Sequence, residues 1–241
     1  MTYRRLIHNN ATFLSLFLIF FIFGTTYSCI FSDKAMTHLL FNSFHTYPLD
    51  IIMKYYTIIG EWVPYVIVFI LLFYKLGWSL FLLADVALSG LVTQILKHLI
   101  NASRPFSWFA THYPDTTLPL VDGVTLSQHF SFPSGHSTTF FAMFFVLSII
   151  VTTHINTTPN ISRKHSTISH TFQVLFILLA LLGGYSRIYL SQHFFEDILG
   201  GSFVGILTTL CLLTCIPKCI NKDFWHFNLK NAKKYSKNLH D

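Results

Sequence analysis

Three short pieces of this 241-residue chain, far apart in sequence, carry the residue types that phosphate chemistry needs. They are Lys97-x6-Arg104-Pro105, Pro133-Ser134-Gly135-His136 and Ser186-Arg187-x5-His193-x3-Asp197. In the first, Arg104 offers a planar fork that grips phosphate oxygens in pairs, and Lys97 adds a compact charge. Pro105 biases Arg104 away from helical geometry, so the helix carrying Lys97 is expected to end before it. In the second, Pro133 and Ser134 favour a helix start and Gly135 permits close backbone approach. Free N–H groups at such a start bind anions, and His136 stands beside any bound phosphate, able to protonate a leaving oxygen. In the third, the four-residue spacing of His193 and Asp197 places them on one helix face. A carboxylate that accepts the proton of one imidazole nitrogen leaves the other free to attack, with Arg187 holding the phosphate under attack.

Taken singly, each piece has a plain structural reading. Lys97 and Arg104 fit cations that snorkel at a membrane edge. The Pro-Ser-Gly-His run fits a capped helix, and the third piece fits a polar re-entry between two spans. Gly183, Gly184, Gly200 and Gly201 around it fit close helix packing. Together the three pieces imply a phosphate site with a histidine nucleophile, because ionisable residues at a membrane edge are functional by default.

The elements that must position these residues are apolar. The chain is 52% hydrophobic and only 11% charged, against about 25% charged for a soluble domain. Runs of this length and composition read as transmembrane helices. Six spans are expected, near residues 12–31, 62–75, 78–97, 135–153, 171–190 and 198–216. The fold class is all-α: a six-helix polytopic membrane bundle, forming a single domain over residues 1–241. Residues 33–60, which mix Leu, Phe and Ile with Asp, Lys, His and Pro48, read as short amphipathic helices lying on the membrane surface. The second span extends back through Ile58 and Gly60 if its start is drawn generously. The 26 phenylalanines read as lipid-facing and inter-helix filler.

Charge sets the expected orientation. With the N-terminus inside, Arg4, Arg5, Lys75, Arg163, Lys164 and the six tail lysines fall inside, and Lys34, Lys54, Lys97, Arg104 and Arg187 fall outside. That excess satisfies the positive-inside bias and brings all three motifs to the outer face. The basic tail, residues 218–241, reads as a cytoplasmic anchor to anionic headgroups. The first apolar run reads as a retained span rather than a cleaved leader. Cys211, Cys215 and Cys219 recur at helical spacing, match no zinc signature and read as ordinary helix residues, as does Cys29. No metal is expected among the histidines, and His45, His112 and His129 read as loop residues. Asp85 reads as structural, and Glu61 as either a site residue or an interfacial one. The loop from Arg104 to Phe132 is long enough to cap the site or select a headgroup.

The motif residues Lys97, Arg104, Pro105, Pro133, Ser134, Gly135, His136, Ser186, Arg187, His193 and Asp197 resemble those of the type 2 phosphatidic acid phosphatase superfamily. The order of six spans resembles it too. That resemblance implies a bacterial inner-membrane lipid phosphatase with both termini cytoplasmic and a periplasmic site. It implies His193 as nucleophile through a phosphohistidine, Asp197 as its orienting group and His136 as general acid. It implies Lys97, Arg104, Ser134, Gly135 and Arg187 as phosphate ligands, with no metal and no cofactor. Undecaprenyl pyrophosphate, phosphatidylglycerol phosphate, phosphatidic acid and lipid A phosphates are the candidate substrates. The expected partners are the phosphorylated lipid and the bilayer, with no nucleic acid and no obligate protein. A lipid phosphotransferase using the same residues is the alternative. Behind it stand a haloperoxidase-type oxidoreductase, sugar-phosphate hydrolysis and a non-enzymatic membrane binding or transport protein.

Overall fold

The computed structural model describes residues 3–157 and 163–219. Among them the chain forms nine helices and no strand: α1 (Tyr3–Asn9), α2 (Ala11–Ile30), α3 (Lys34–Phe41), α4 (Tyr47–Tyr74), α5 (Leu76–Ile100), α6 (Pro105–His112), α7 (Gly135–Thr157), α8 (Arg163–Tyr189) and α9 (Phe195–Cys219). Six of these segments are long and apolar enough to cross a membrane, which makes this a multi-pass membrane protein. The basic tail beyond Cys219 lies outside the described residues, as do the side chains of Arg163, Lys164, Cys215 and Cys219.

α7 is the axis of the bundle and packs against α4, α5, α8 and α9. Its residues Phe140, Phe141, Ala142, Met143, Phe145, Val146 and Ile149 are wholly buried. A helix hydrophobic all round belongs in the interior, and α7 shows no polar stripe to turn outward. Phenylalanine fills this core by ring contact: Phe13 stacks on Phe145 with centroids 5.1 Å apart, and Tyr56 on Phe140 at 5.5 Å. Other phenylalanines, such as Phe23 and Phe69, face outward, so both expected uses of this residue occur. Close packing depends on glycine. A Cβ on Gly183 would run into the Phe140 ring, and one on Gly201 would run into the Ser134 carbonyl.

One expected segment is corrected. Residues 33–60 do not form a separate surface layer: only α3 stands apart, and α4 runs unbroken from Tyr47, so the second span is longer than 62–75. The polar residues that break its hydropathy have partners at the end of the bundle. Asp50 accepts from the Tyr189 hydroxyl at 2.5 Å and pairs with His45 at 3.0 Å, and Lys54 donates to the Asp122 carbonyl at 2.7 Å. Asp33 caps α3, its side chain accepting from Ala35 N and Met36 N.

Candidate active site

The three motifs meet at one end of the bundle. Each sits where a span begins or stops, so the fold has only to align helix ends to assemble them. α5 stops at Asn101, which takes the left-handed conformation (φ 45°) and accepts the C-cap role that Asn tolerates. The chain then extends to Arg104, whose backbone caps α6 with Pro105 in its first turn. Ser134 opens α7: its Oγ accepts from Ser137 N at 3.3 Å and from the Ser137 hydroxyl at 3.0 Å, and its own N–H donates to the Asp197 carbonyl at 2.9 Å. The start of α7 is thereby tied to the start of α9.

His193 lies in the turn between α8 and α9, two residues before the helix begins. The expectation that His193 and Asp197 share a helix face is corrected here: the spacing spans a helix start. Ser191 takes φ 50°, and both Gln192 N and His193 N donate back to the Arg187 carbonyl. This turn swings His193 over the first turn of α9. Asp197 Oδ2 then accepts from Phe194 N at 2.9 Å, the N-cap amide of α9, and lies 3.3 Å from His193 Nδ1. One carboxylate both caps the helix and faces the imidazole. The Ser131 hydroxyl donates to the same oxygen at 2.5 Å. His193 is almost fully buried. Burial first, then the fields of Arg104, Arg187 and Lys97, push its pKa well below the usual histidine value and so favour the neutral ring.

The hydrogen bonds of the cations go to neutral acceptors. Lys97, buried, donates to the Phe130 carbonyl. Arg104 donates through Nε to the His129 carbonyl at 3.0 Å and through one terminal nitrogen to Gln192 Oε1 at 3.0 Å. Arg187, buried, donates to Thr57 Oγ1 on α4 at 2.6 Å, and its Nε has no protein partner. A buried guanidinium N–H without an acceptor is rare, and an anion in the site would satisfy it. His136 Nε2 sits 2.8 Å from Glu61 Oε1. A Cβ on Gly135 would meet nothing nearer than the Thr93 methyl at 3.9 Å and Lys97 Cε at 4.0 Å, so the backbone beside Lys97 is open to a ligand.

All eight expected site residues are therefore brought together, Ser134 with its hydroxyl engaged in capping. Several further residues complete the site. Ser131, Gln192 and Thr57 hold Asp197, Arg104 and Arg187 in the contacts just given. Asn42, after α3, donates to the carbonyls of Ile188 and Tyr189 and to the Ser191 hydroxyl, each at 2.9 Å, and so supports the turn that carries His193. His38 lies against the same turn, its Nε2 3.3 Å from Ser191 Oγ, and burial lowers its pKa to about 4. The 113–132 segment folds over this end through Gln192 Nε2 to the Thr125 carbonyl and Arg104 N to the Gln128 carbonyl. Of the loop histidines, His112 ends α6 stacked on Trp108 at 4.4 Å. Asp85 lies away from this cluster, one oxygen accepting from Thr209 at 2.8 Å.

The chain is similar to known phosphatases. Lipid phosphate phosphatase 2 of Arabidopsis thaliana is 29% identical over 156 residues, 60% of this chain and 52% of that one. Phosphatidylglycerophosphatase B of Bacillus subtilis (strain 168) is 33% identical over 136 residues, 56% of this chain and 57% of that one. The chain spans about half the length of the curated relatives it matches. Among solved structures, the first transmembrane PAP2 type phosphatidylglycerolphosphate phosphatase from Bacillus subtilis aligns with a TM-score of 0.60 at 25% identity, covering 88% of this chain and 98% of that one. Aquifex aeolicus LpxE aligns with a TM-score of 0.56 at 22% identity, covering 73% of this chain and 92% of that one, a likeness of fold alone. The PAP2 superfamily model matches residues 78–221, a stretch that holds all three motifs, and the chain belongs to the PAP2 superfamily.

Proposed function

We propose that this protein is a membrane-embedded lipid phosphatase that works through a phosphohistidine on His193. The observation that carries the reading is the environment of that ring: buried, backed by Asp197 at 3.3 Å and faced by Arg187 with an unpartnered Nε. In the first step His193 Nε2 forms a bond to phosphorus and the ester P–O bond breaks. His136 gives its proton to the departing oxygen. Asp197 balances the positive charge that grows on the His193 ring, and Lys97, Arg104, Arg187 and the α7 start hold the three phosphoryl oxygens. In the second step water attacks phosphorus, His136 takes up the water's proton, the P–N bond breaks and inorganic phosphate leaves.

The charge distribution of the sequence supports a periplasmic site in a bacterial inner membrane with both termini cytoplasmic. Phosphatidylglycerol phosphate, phosphatidic acid, lipid A phosphates and undecaprenyl pyrophosphate all present the terminal phosphate this site would hold. The test is phosphate release by purified protein in detergent with EDTA present, across those lipids, beside His193→Ala. Release abolished by the substitution supports the reading. No release from any of them by folded protein overturns it.

A further inference from the structure

Glu61 is the lone carboxylate between Ile51 and Tyr74 on α4. It belongs to none of the three motifs, and an ionisable residue within a span asks for a function. Its Oε1 lies 2.8 Å from His136 Nε2, with its side chain 52% exposed where that of His136 is 20% exposed. The placement is fixed by the fold. One turn earlier Thr57 accepts from Arg187, and Gly60 packs so closely on Phe140 that a Cβ there would overlap the ring. This face of α4 is therefore locked to α7 and α8, and Glu61 is carried to the rim of the site beside His136.

The titratable and charged groups that face His136 are Lys97 and Arg104 from α5 and the segment after it, Arg187 from α8, the His193 ring, and Glu61 from α4. Three of these are cations gathered for the phosphate. A proton on His136 adds a further positive charge to the same space. Asp197 is committed to His193, the Ser131 hydroxyl and the Phe194 amide. Glu61 is the carboxylate in contact with His136 that can balance that proton.

We propose that Glu61 is a positioning residue that keeps His136 protonated and oriented, and thereby sets the enzyme's preference for phosphate monoesters over diphosphates. The inference rests on the function proposed above and names its substrate class. The reason lies in the leaving groups. When the ester P–O bond of a monoester breaks, the departing alkoxide is a strong base and needs the proton of His136 to leave as an alcohol. When the P–O–P bond of a diphosphate breaks, the departing phosphate is a weak base and leaves without one. General-acid assistance therefore matters for the first and little for the second. Glu61 also sets a negative charge beside the departing group, which disfavours a leaving group that is itself a phosphate anion and is indifferent to a neutral alcohol.

The test compares phosphatidic acid and farnesyl diphosphate as the two probes, with wild-type protein, Glu61→Gln and Glu61→Asp. Thermal midpoints in detergent check that the variants are folded. Glu61→Gln keeps the shape and removes the charge, and it is expected to lower kcat for the monoester far more than for the diphosphate, so that the ratio of the two falls at least about 10-fold. KM for phosphatidic acid stays within about threefold, because the phosphate ligands are untouched. Glu61→Asp recovers part of the ratio. Equal losses on both probes, or an unchanged ratio, overturn the assignment while leaving the phosphatase reading in place. Folded wild-type protein that releases phosphate from neither probe overturns the preference assigned here, whereas only silence across the whole lipid panel above overturns the phosphatase reading.

Discussion

Asp197→Asn isolates the part of the account that electrostatics carries. Three donors meet at Asp197 Oδ2: the Ser131 hydroxyl, the Phe194 amide and His193 Nδ1. An asparagine with its oxygen in that place keeps all three contacts and the cap of α9, so the fold is retained. What is lost is the negative charge facing a ring that becomes positive as the P–N bond forms. A unit charge pair at the observed 3.3 Å, in an effective dielectric of about 20, interacts by about 5 kcal/mol. Each 1.36 kcal/mol is roughly a factor of ten in rate, so kcat is expected to fall about 10³-fold or more. KM changes little, since Asp197 does not touch the phosphate. The assay is steady-state phosphate release on whichever lipid the wild-type protein turns over, with the thermal midpoint measured in the same detergent. A folded Asp197→Asn variant within about tenfold of wild type would refute the reasoning and leave Asp197 as a helix cap.

Further outcomes test the supporting structure. Asn42→Ala removes the side-chain donor to the Tyr189 carbonyl and one of two donors to the Ile188 carbonyl, which keeps the Ser191 N–H; it is expected to cost about 1–3 kcal/mol of stability and to lower kcat by loosening the turn that holds His193, read by thermal midpoint and phosphate release together. Gly201→Ala drives a Cβ into the Ser134 carbonyl, whereas Gly90→Ala meets nothing within 4 Å; the first is expected to destabilise by about 1–3 kcal/mol and the second to leave both midpoint and activity intact. Acid sensitivity follows from His38, whose pKa falls from 6.5 to about 4 on burial. Because the folded value is depressed, the unfolded chain binds the proton first, and stability is lost as pH falls from about 6.5 toward about 4, by roughly 3 kcal/mol in all. His38→Leu should flatten the midpoint-against-pH curve across that window, and an unchanged slope would count against a buried neutral His38.

The site's own motifs were legible in the sequence because each is local. Ser134 caps the helix that starts at the next residue by accepting from an amide three residues on, and Asp197 caps one from within its first turn, so residue type and short spacing are enough to place them. The spans were legible from hydropathy for the same reason, and the first was expected within a residue or two of Ala11–Ile30. What escaped depends on contacts across the chain. Asn42 meets the His193 turn from about 150 residues away, and Thr57 meets Arg187 from 130. Nothing near either residue announces its partner. The start of α4 is not legible in the sequence because Asp50 and Lys54 look like interfacial residues until their tertiary partners, Tyr189 and the Asp122 carbonyl, are in place. The pairing of Glu61 with His136 was similarly open in sequence, since a carboxylate at a span end serves an interface as readily as a site.

The central claim is a covalent one, and it is tested by catching the intermediate. Purified protein would be mixed with ³²P-labelled phosphatidic acid, phosphatidylglycerol phosphate and undecaprenyl pyrophosphate, quenched during turnover, and its labelled peptide mapped. The account predicts acid-labile, base-stable phosphate on His193, absent from His193→Ala, which also releases no phosphate. Phosphate release by the His193→Ala variant, or turnover by wild-type protein with label on another residue or on none, would contradict it.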